Sequence, residues 1–176
     1  MALLHLVEKE QSTGRVAEIY ETMTQAMGFV PNAFKLYSSS PFLLEQQFRN
    51  LGYYMRHEKL GGKLLAFIRL LVSDQETCAY CVGVNTGILF QYGVLPEAIE
   101  AIRKDPSTAP LEEKELGMLL FVLKMMKDSN SIEAGDVDHL RKLGWSDQEI
   151  LEGSFHGASQ VASDKLLNGF KIQLDR

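Results

Sequence analysis

Apolar residues recur at helical spacing along nearly the whole chain, and no run of four to eight residues alternates apolar and polar as a half-buried strand requires. The expected fold is therefore all-α. With 176 residues, 45% of them apolar and 23% charged, the chain is long enough to bury one core and short for two. A single-domain bundle of about seven to eight helices is expected, with residues 1–59 as an N-terminal helical extension and residues 60–176 as the core.

Capping signals divide the pattern. Residues 12–27 place Val16, Tyr20, Met23 and Met27 on one face, and Gly28 follows as a left-handed stop. Ser40 and Pro41 supply an N-cap and a first-turn proline for a helix bearing Leu44, Phe48, Leu51 and Met55. Residues 63–74 carry the stripe Leu64, Ile68, Leu71 and Val72, and Thr77 is the expected cap of the next helix, which holds both cysteines and ends at Gly93. Pro96 opens a short helix, and Pro110 is expected to start one carrying Leu116, Leu119, Leu120, Leu123 and Met126. Met118, Met125 and Met126 read as packing residues. A further helix covers residues 133–143, and Ser146 with Glu149 forms a capping box for the last one.

A net charge of -5 without clustered Lys and Arg argues against nucleic-acid partners, because phosphate binding relies on such clusters. No apolar run approaches the roughly 20 residues that span a bilayer. The first residues lack a basic segment and a small-residue cleavage site, so a cytoplasmic protein is expected.

Cys78 and Cys81 are the two cysteines of the chain, three residues apart. On a helix that spacing puts both on one face, where they can cycle between dithiol and disulfide. A helix N-terminus lowers a thiol pKa through its unpaired N–H groups and dipole, while Asp74 and Glu76 just upstream act in the opposite sense. Two cysteines can equally serve as small buried hydrophobes. A structural zinc needs four ligands, and His5, His57, His139 and His156 show no ligand spacing. No metal or cofactor is expected, and a thioredoxin-type motif is excluded because no strand precedes the pair.

The stretch Leu70-Leu71-Val72-Ser73, then Cys78-Ala79-Tyr80-Cys81-Val82, the Gly93 turn and the start at Pro96-Glu97 resemble the alkylhydroperoxidase D and carboxymuconolactone decarboxylase superfamily. Ile19-Tyr20-Glu21-Thr22-Met23 and Val30-Pro31-Asn32 resemble the opening of its peroxidase-related branch. The resemblance implies Cys81 as attacking thiolate and Cys78 as resolving thiol, whereas helix electrostatics alone favours Cys78. It also implies a proton relay of a Glu on the preceding helix and a His four residues after the second cysteine. Those positions hold Ala66 and Asn85. Asn85 can hydrogen bond toward Cys81, but an amide does not exchange a proton near neutral pH. Losing acid–base help worth 100- to 10,000-fold removes roughly 3 to 5 kcal/mol of barrier lowering. His156 is the leading substitute base and Glu76 a weaker one, with Tyr80 lining the site.

The expected function is a thiol-dependent oxidoreductase that reduces small hydroperoxides through the cysteine pair, regenerated by a thiol reductant protein. A catalytically degenerate oligomeric module for binding or redox sensing is the alternative, and a carboxymuconolactone decarboxylase-like enzyme a second. The resemblance further implies a homo-oligomer, a trimer or hexamer.

Overall fold

The computed structural model describes residues 2–175, and the regular elements among them are nine α-helices and four short 3-10 segments, with no β-strand. The chain divides into two compact units, Met1–His57 with Leu166–Arg176, and Glu58–Lys165.

The first unit holds α1 (Gly14–Met27), α2 (Asn32–Leu36) and α3 (Pro41–Met55). Val16, Ile19, Tyr20 and Met23 on α1 bury against Val30 and Leu44, with Phe34, Tyr37, Phe48 and Leu51 packed around them. Met27 and Met55, expected on the buried faces, are exposed. Each is the last residue of its helix, and on α3 the 3.6-residue turn brings Tyr54 inward instead. Ser40 caps α3 as anticipated, its hydroxyl accepting from the Leu43 N–H.

The second unit contains α4 (Gly62–Gln75), α5 (Ala79–Gln91), α6 (Pro96–Lys104), α7 (Glu113–Lys127), α8 (Ala134–Lys142) and the body of α9 (Asp147–Gly169). The single stripe expected on α4 understates it: every residue from position 64 to 73 is buried except Arg69. A helix apolar on all sides belongs at the centre of a bundle, and α5 and α7 pack along α4. α7 starts at Glu113, not at Pro110: around Pro110 the Leu111 N–H turns back to the Ala109 carbonyl at 2.8 Å, and Glu113 and Glu115 suit the positive end of the helix dipole. No helix among the described residues is long and apolar enough to cross a membrane.

The capping box of α9 forms as read: the Ser146 N–H donates to Glu149 Oε2 at 2.8 Å, and the Glu149 N–H donates to Ser146 Oγ at 3.2 Å. Its faces, however, are inverted relative to ordinary amphipathic order. Leu151, Phe155, Ala158 and Ala162 are exposed, while Gly153, Ser154, His156, Gly157, Gln160 and Asp164 are buried. Small residues allow the close approach of α9 to α7. A Cβ at Gly157 would sit 2.5 Å from Val122 Cγ1, and one at Gly153 would sit 2.9 Å from Met118 Sδ. Met118 and Met126 thus fill the α7–α9 seam, the packing role assigned to them.

Gly157→Ala is expected to destabilise the protein by about 1–3 kcal/mol, the usual cost of overpacking a filled interior. Thermal unfolding should register this as a drop of several degrees. An unchanged midpoint would mean that α7 and α9 do not approach so closely.

Candidate functional site

The site begins where α4 stops. Glu76 ends the helix, and Thr77 adopts φ 55°, a left-handed conformation that costs a β-branched residue about 1–2 kcal/mol. The Thr77 N–H donates to the Asp74 carbonyl at 3.2 Å and the Cys78 N–H to the Ser73 carbonyl at 2.9 Å, which is the hydrogen-bond pattern of a Schellman stop. Thr77 therefore closes α4 and does not cap α5. The N-cap of α5 is Cys78 itself, and Cys81 falls at the third helical position, where its backbone N–H points back toward the cap.

Both thiols are free, with Cys78 0% and Cys81 6% exposed. A third acidic group joins them from α9. The two sulfurs and one carboxylate oxygen of Asp164 all lie within 4.8 Å of one another. Asp164 is fully buried. Its Oδ1 accepts from the Ser73 hydroxyl at 3.0 Å and from Gln160 Nε2 at 2.8 Å, and Gln160 also donates to Ser73 Oγ at 3.1 Å. Its Oδ2 has no hydrogen-bond partner. Three donors fall one short of a structural zinc set, and no histidine among the described residues belongs to the group.

The environment separates the two thiols. The Cys81 thiol donating toward Cys78 lowers the Cys78 pKa, assisted by the Cys81 backbone N–H and opposed by burial and by Asp164. The same contact raises Cys81, together with burial and the nearby Asp164 carboxylate. Burial raises Asp164, against the hydrogen bonds that favour its charged form. The negative charges feared upstream are each met by a cation: Arg103 Nη2 lies 2.5 Å from Asp74 and Lys165 Nζ 2.7 Å from Glu76. Glu76 Oε2 is thus paired with Lys165. Tyr80 is buried on α5 beside the pair.

A second polar group lies one turn along α5. Asn85 donates through Nδ2 to the Cys81 carbonyl at 2.8 Å, so it contacts the backbone and not the thiol. Its Oδ1 accepts from Arg69 Nε at 2.7 Å, and Arg69 Nη1 lies 3.1 Å from His156 Nε2. An arginine is always a donor, so His156 Nε2 accepts and the ring proton resides on Nδ1, toward the Leu65 backbone. Burial, then the Arg69 charge, push the His156 pKa down to about 3. The expectation that His156 replaces the missing base fails on this geometry: its lone pair is engaged by a cation. Burial also pulls Arg69 down to about 10, which leaves it charged at neutral pH.

No protein-family model matches the sequence, and no curated protein matches it. Solved structures do. An uncharacterized peroxidase-related protein from Silicibacter sp. superposes with a TM-score of 0.86 at 22% identity, over 99% of this chain and 92% of that one. An alkylhydroperoxidase AhpD core protein from Ralstonia eutropha, likewise peroxidase-related, gives 0.78 at 21% identity over 98% and 94%. The debrominase Bmp8 in complex with 2,3,4-tribromopyrrole gives 0.77 at 16% identity over 99% and 94%.

The chain has the alkylhydroperoxidase D-like fold.

Within this alkylhydroperoxidase D-like scaffold Cys78 and Cys81 lie together and Asn85 bonds the Cys81 carbonyl, Tyr80 is buried on the same helix, and His156 and Glu76 meet Arg69 and Lys165. Sequence reading missed Asp164, Ser73, Gln160 and Arg69. The available signal was the pair of polar residues at helical spacing on α9, Gln160 and Asp164, and the two polar residues one turn apart, Arg69 and Ser73, inside the apolar run of α4.

His156 yields a stability prediction. Its folded pKa of about 3 lies below the ordinary 6.5, so the unfolded chain binds the proton more readily. Its contribution is present above pH 6.5 and is lost as pH falls from there toward 3, at up to about 1.4 kcal/mol per pH unit. Denaturant unfolding of the wild type and of His156→Gln across that window should show a shallower pH slope in the variant. Parallel slopes would contradict a buried neutral ring.

Proposed function

We propose that the protein is a thiol-dependent oxidoreductase that reduces a small hydroperoxide through Cys78 and Cys81. The observation that carries this reading is the pair itself: two free thiols at the N-cap and third position of one helix, with sulfurs within 4.8 Å and pKa values driven apart. Groups whose environments push their proton affinities in opposite directions are the arrangement that acid–base and nucleophilic chemistry needs. The peroxidase-related descriptions of two neighbours of like fold support the oxidant class.

The resting thiolate is assigned to Cys78, the order that helix electrostatics favours and the reverse of the order the resemblance implies. The Cys78 sulfur attacks the terminal oxygen of ROOH, so an S–O bond forms, the O–O bond breaks and RO⁻ leaves to be protonated to ROH. Cys78 is then a sulfenic acid. The Cys81 sulfur attacks it, the S–S bond forms, the S–O bond breaks and water departs. A thiol reductant protein returns two electrons and two protons, one proton to Cys81 and one in place of that taken by the alkoxide, which restores the starting state with Cys78 as thiolate. The protein is further proposed to act as a homo-oligomer, in which a second copy covers the exposed Leu151 and Phe155 on α9.

The near-complete burial of both thiols favours a second reading, a redox-sensing or binding module without turnover. Stopped-flow thiol consumption with hydrogen peroxide and an organic hydroperoxide separates the two. The wild type is expected to react at least 100-fold faster than free cysteine. Cys78→Ser should abolish the fast phase, and Cys81→Ser should keep it while accumulating sulfenic acid. A wild-type rate equal to that of free cysteine supports the module instead, and the opposite behaviour of the two variants makes Cys81 the attacking thiol.

A further inference from the structure

We propose that Asp164 is the proton carrier of the dithiol, giving the proton that the departing alkoxide takes and accepting the one that Cys81 loses as it closes the disulfide. This rests on the redox reading and goes beyond it by naming the group that replaces the absent relay.

Proton transfer needs a titratable group at the reacting atoms, and the groups that surround the pair can be taken in turn. On α5, Asn85 is an amide, and it is bonded to the Cys81 carbonyl. On α4, Ser73 is a hydroxyl donating to Asp164, Arg69 is a cation directed to Asn85 and His156, Asp74 faces Arg103, and Glu76 faces Lys165. On α9, His156 has its lone pair covered by Arg69, and Gln160 is neutral. Asp164 alone among these presents a carboxyl oxygen within 4.8 Å of both sulfurs. Ser73 and Gln160 fix the carboxyl through Oδ1, which leaves Oδ2 unsatisfied in a fully buried position. A buried carboxylate oxygen without a partner is costly, and a proton shared with an adjacent thiol relieves that cost.

The balance closes over one cycle. The resting site holds a Cys78 thiolate, a Cys81 thiol and a protonated Asp164. Attack on ROOH yields the sulfenic acid and RO⁻, which takes the Asp164 proton and leaves as ROH. The ionised carboxylate then accepts the Cys81 proton as that sulfur attacks Cys78, and returns it to the departing hydroxide to make water. The oxidised site is a disulfide beside a carboxylate. Two thiols of the reductant protein then supply two electrons and two protons, restoring thiolate, thiol and carboxylic acid.

Asp164→Asn keeps the shape and can still accept from Ser73 and Gln160, but carries no proton. Its rate of disulfide closure, followed by stopped flow after hydrogen peroxide, should fall at least about 100-fold, and the pH–rate profile should lose one inflection. Ser73→Ala removes a hydrogen bond that favours the charged carboxylate, so the same inflection should move to higher pH. A titration of thiolate absorbance in the reduced proteins involves no oxidant. There Asp164→Asn should change the profile, because a carboxyl that shares a proton with Cys78 couples the two ionisations and an amide does not. Superimposable thiolate titrations of folded Asp164→Asn and wild type overturn the proposal. So does an inflection that Ser73→Ala leaves in place, which decides the matter even where the asparagine variant does not fold. A slow wild type with a shifted thiolate titration overturns the redox reading and leaves Asp164 coupled to the pair.

Discussion

Nearly every side chain of α4 between positions 64 and 73 is buried, and the rest of the second unit is arranged by that fact. A helix without a wet face must be surrounded, so α5 and α7 lie along it, and α9 reaches it through the Ser73–Asp164 and Arg69–His156 contacts. The polar groups of α4 in this stretch are Arg69 and Ser73, one turn apart, and each defines a polar cluster in an otherwise apolar interior. The Schellman stop immediately after Ser73 places Cys78 at the head of α5 and against the second cluster. The cysteine pair thus sits where the central helix must end.

The two clusters do different work. Around Ser73 the groups are acidic: two thiols and a carboxyl whose oxygens are unequally satisfied. Around Arg69 they are one cation and two neutral acceptors, with His156 held uncharged by burial and by the same guanidinium that Asn85 helps to fix. A residue at the position of Asn85 that could take a proton would have to compete with Arg69 beside it. Ala66 is buried in α4 without a polar partner in view, so the positions at which the resemblance implies a relay hold, in this chain, one small apolar group and one structural amide.

The helical class, the Ser40 cap, the Ser146–Glu149 box and the cysteine pair were legible because each rests on spacing within one segment. Thr77 misled because hydroxyl residues favour N-caps, and only the backbone reveals that this threonine occupies the left-handed position of the preceding stop. The buried face of α9 was not legible for a different reason. Periodicity identifies an apolar face and takes it for the buried one, yet Leu151 and Phe155 are exposed while Gly153, Gly157, Gln160 and Asp164 are inside. Asp164 lies 83 positions beyond Cys81, and no local pattern links residues that far apart.

The most direct test of the account is the mass of the reduced protein after a single equivalent of hydroperoxide, with the modified peptide mapped. The account predicts a monomer that has lost two hydrogens and gained no oxygen, its Cys78 and Cys81 joined within one chain. Thiols left intact, sulfinic acid on either cysteine, or a bond between two chains would contradict it.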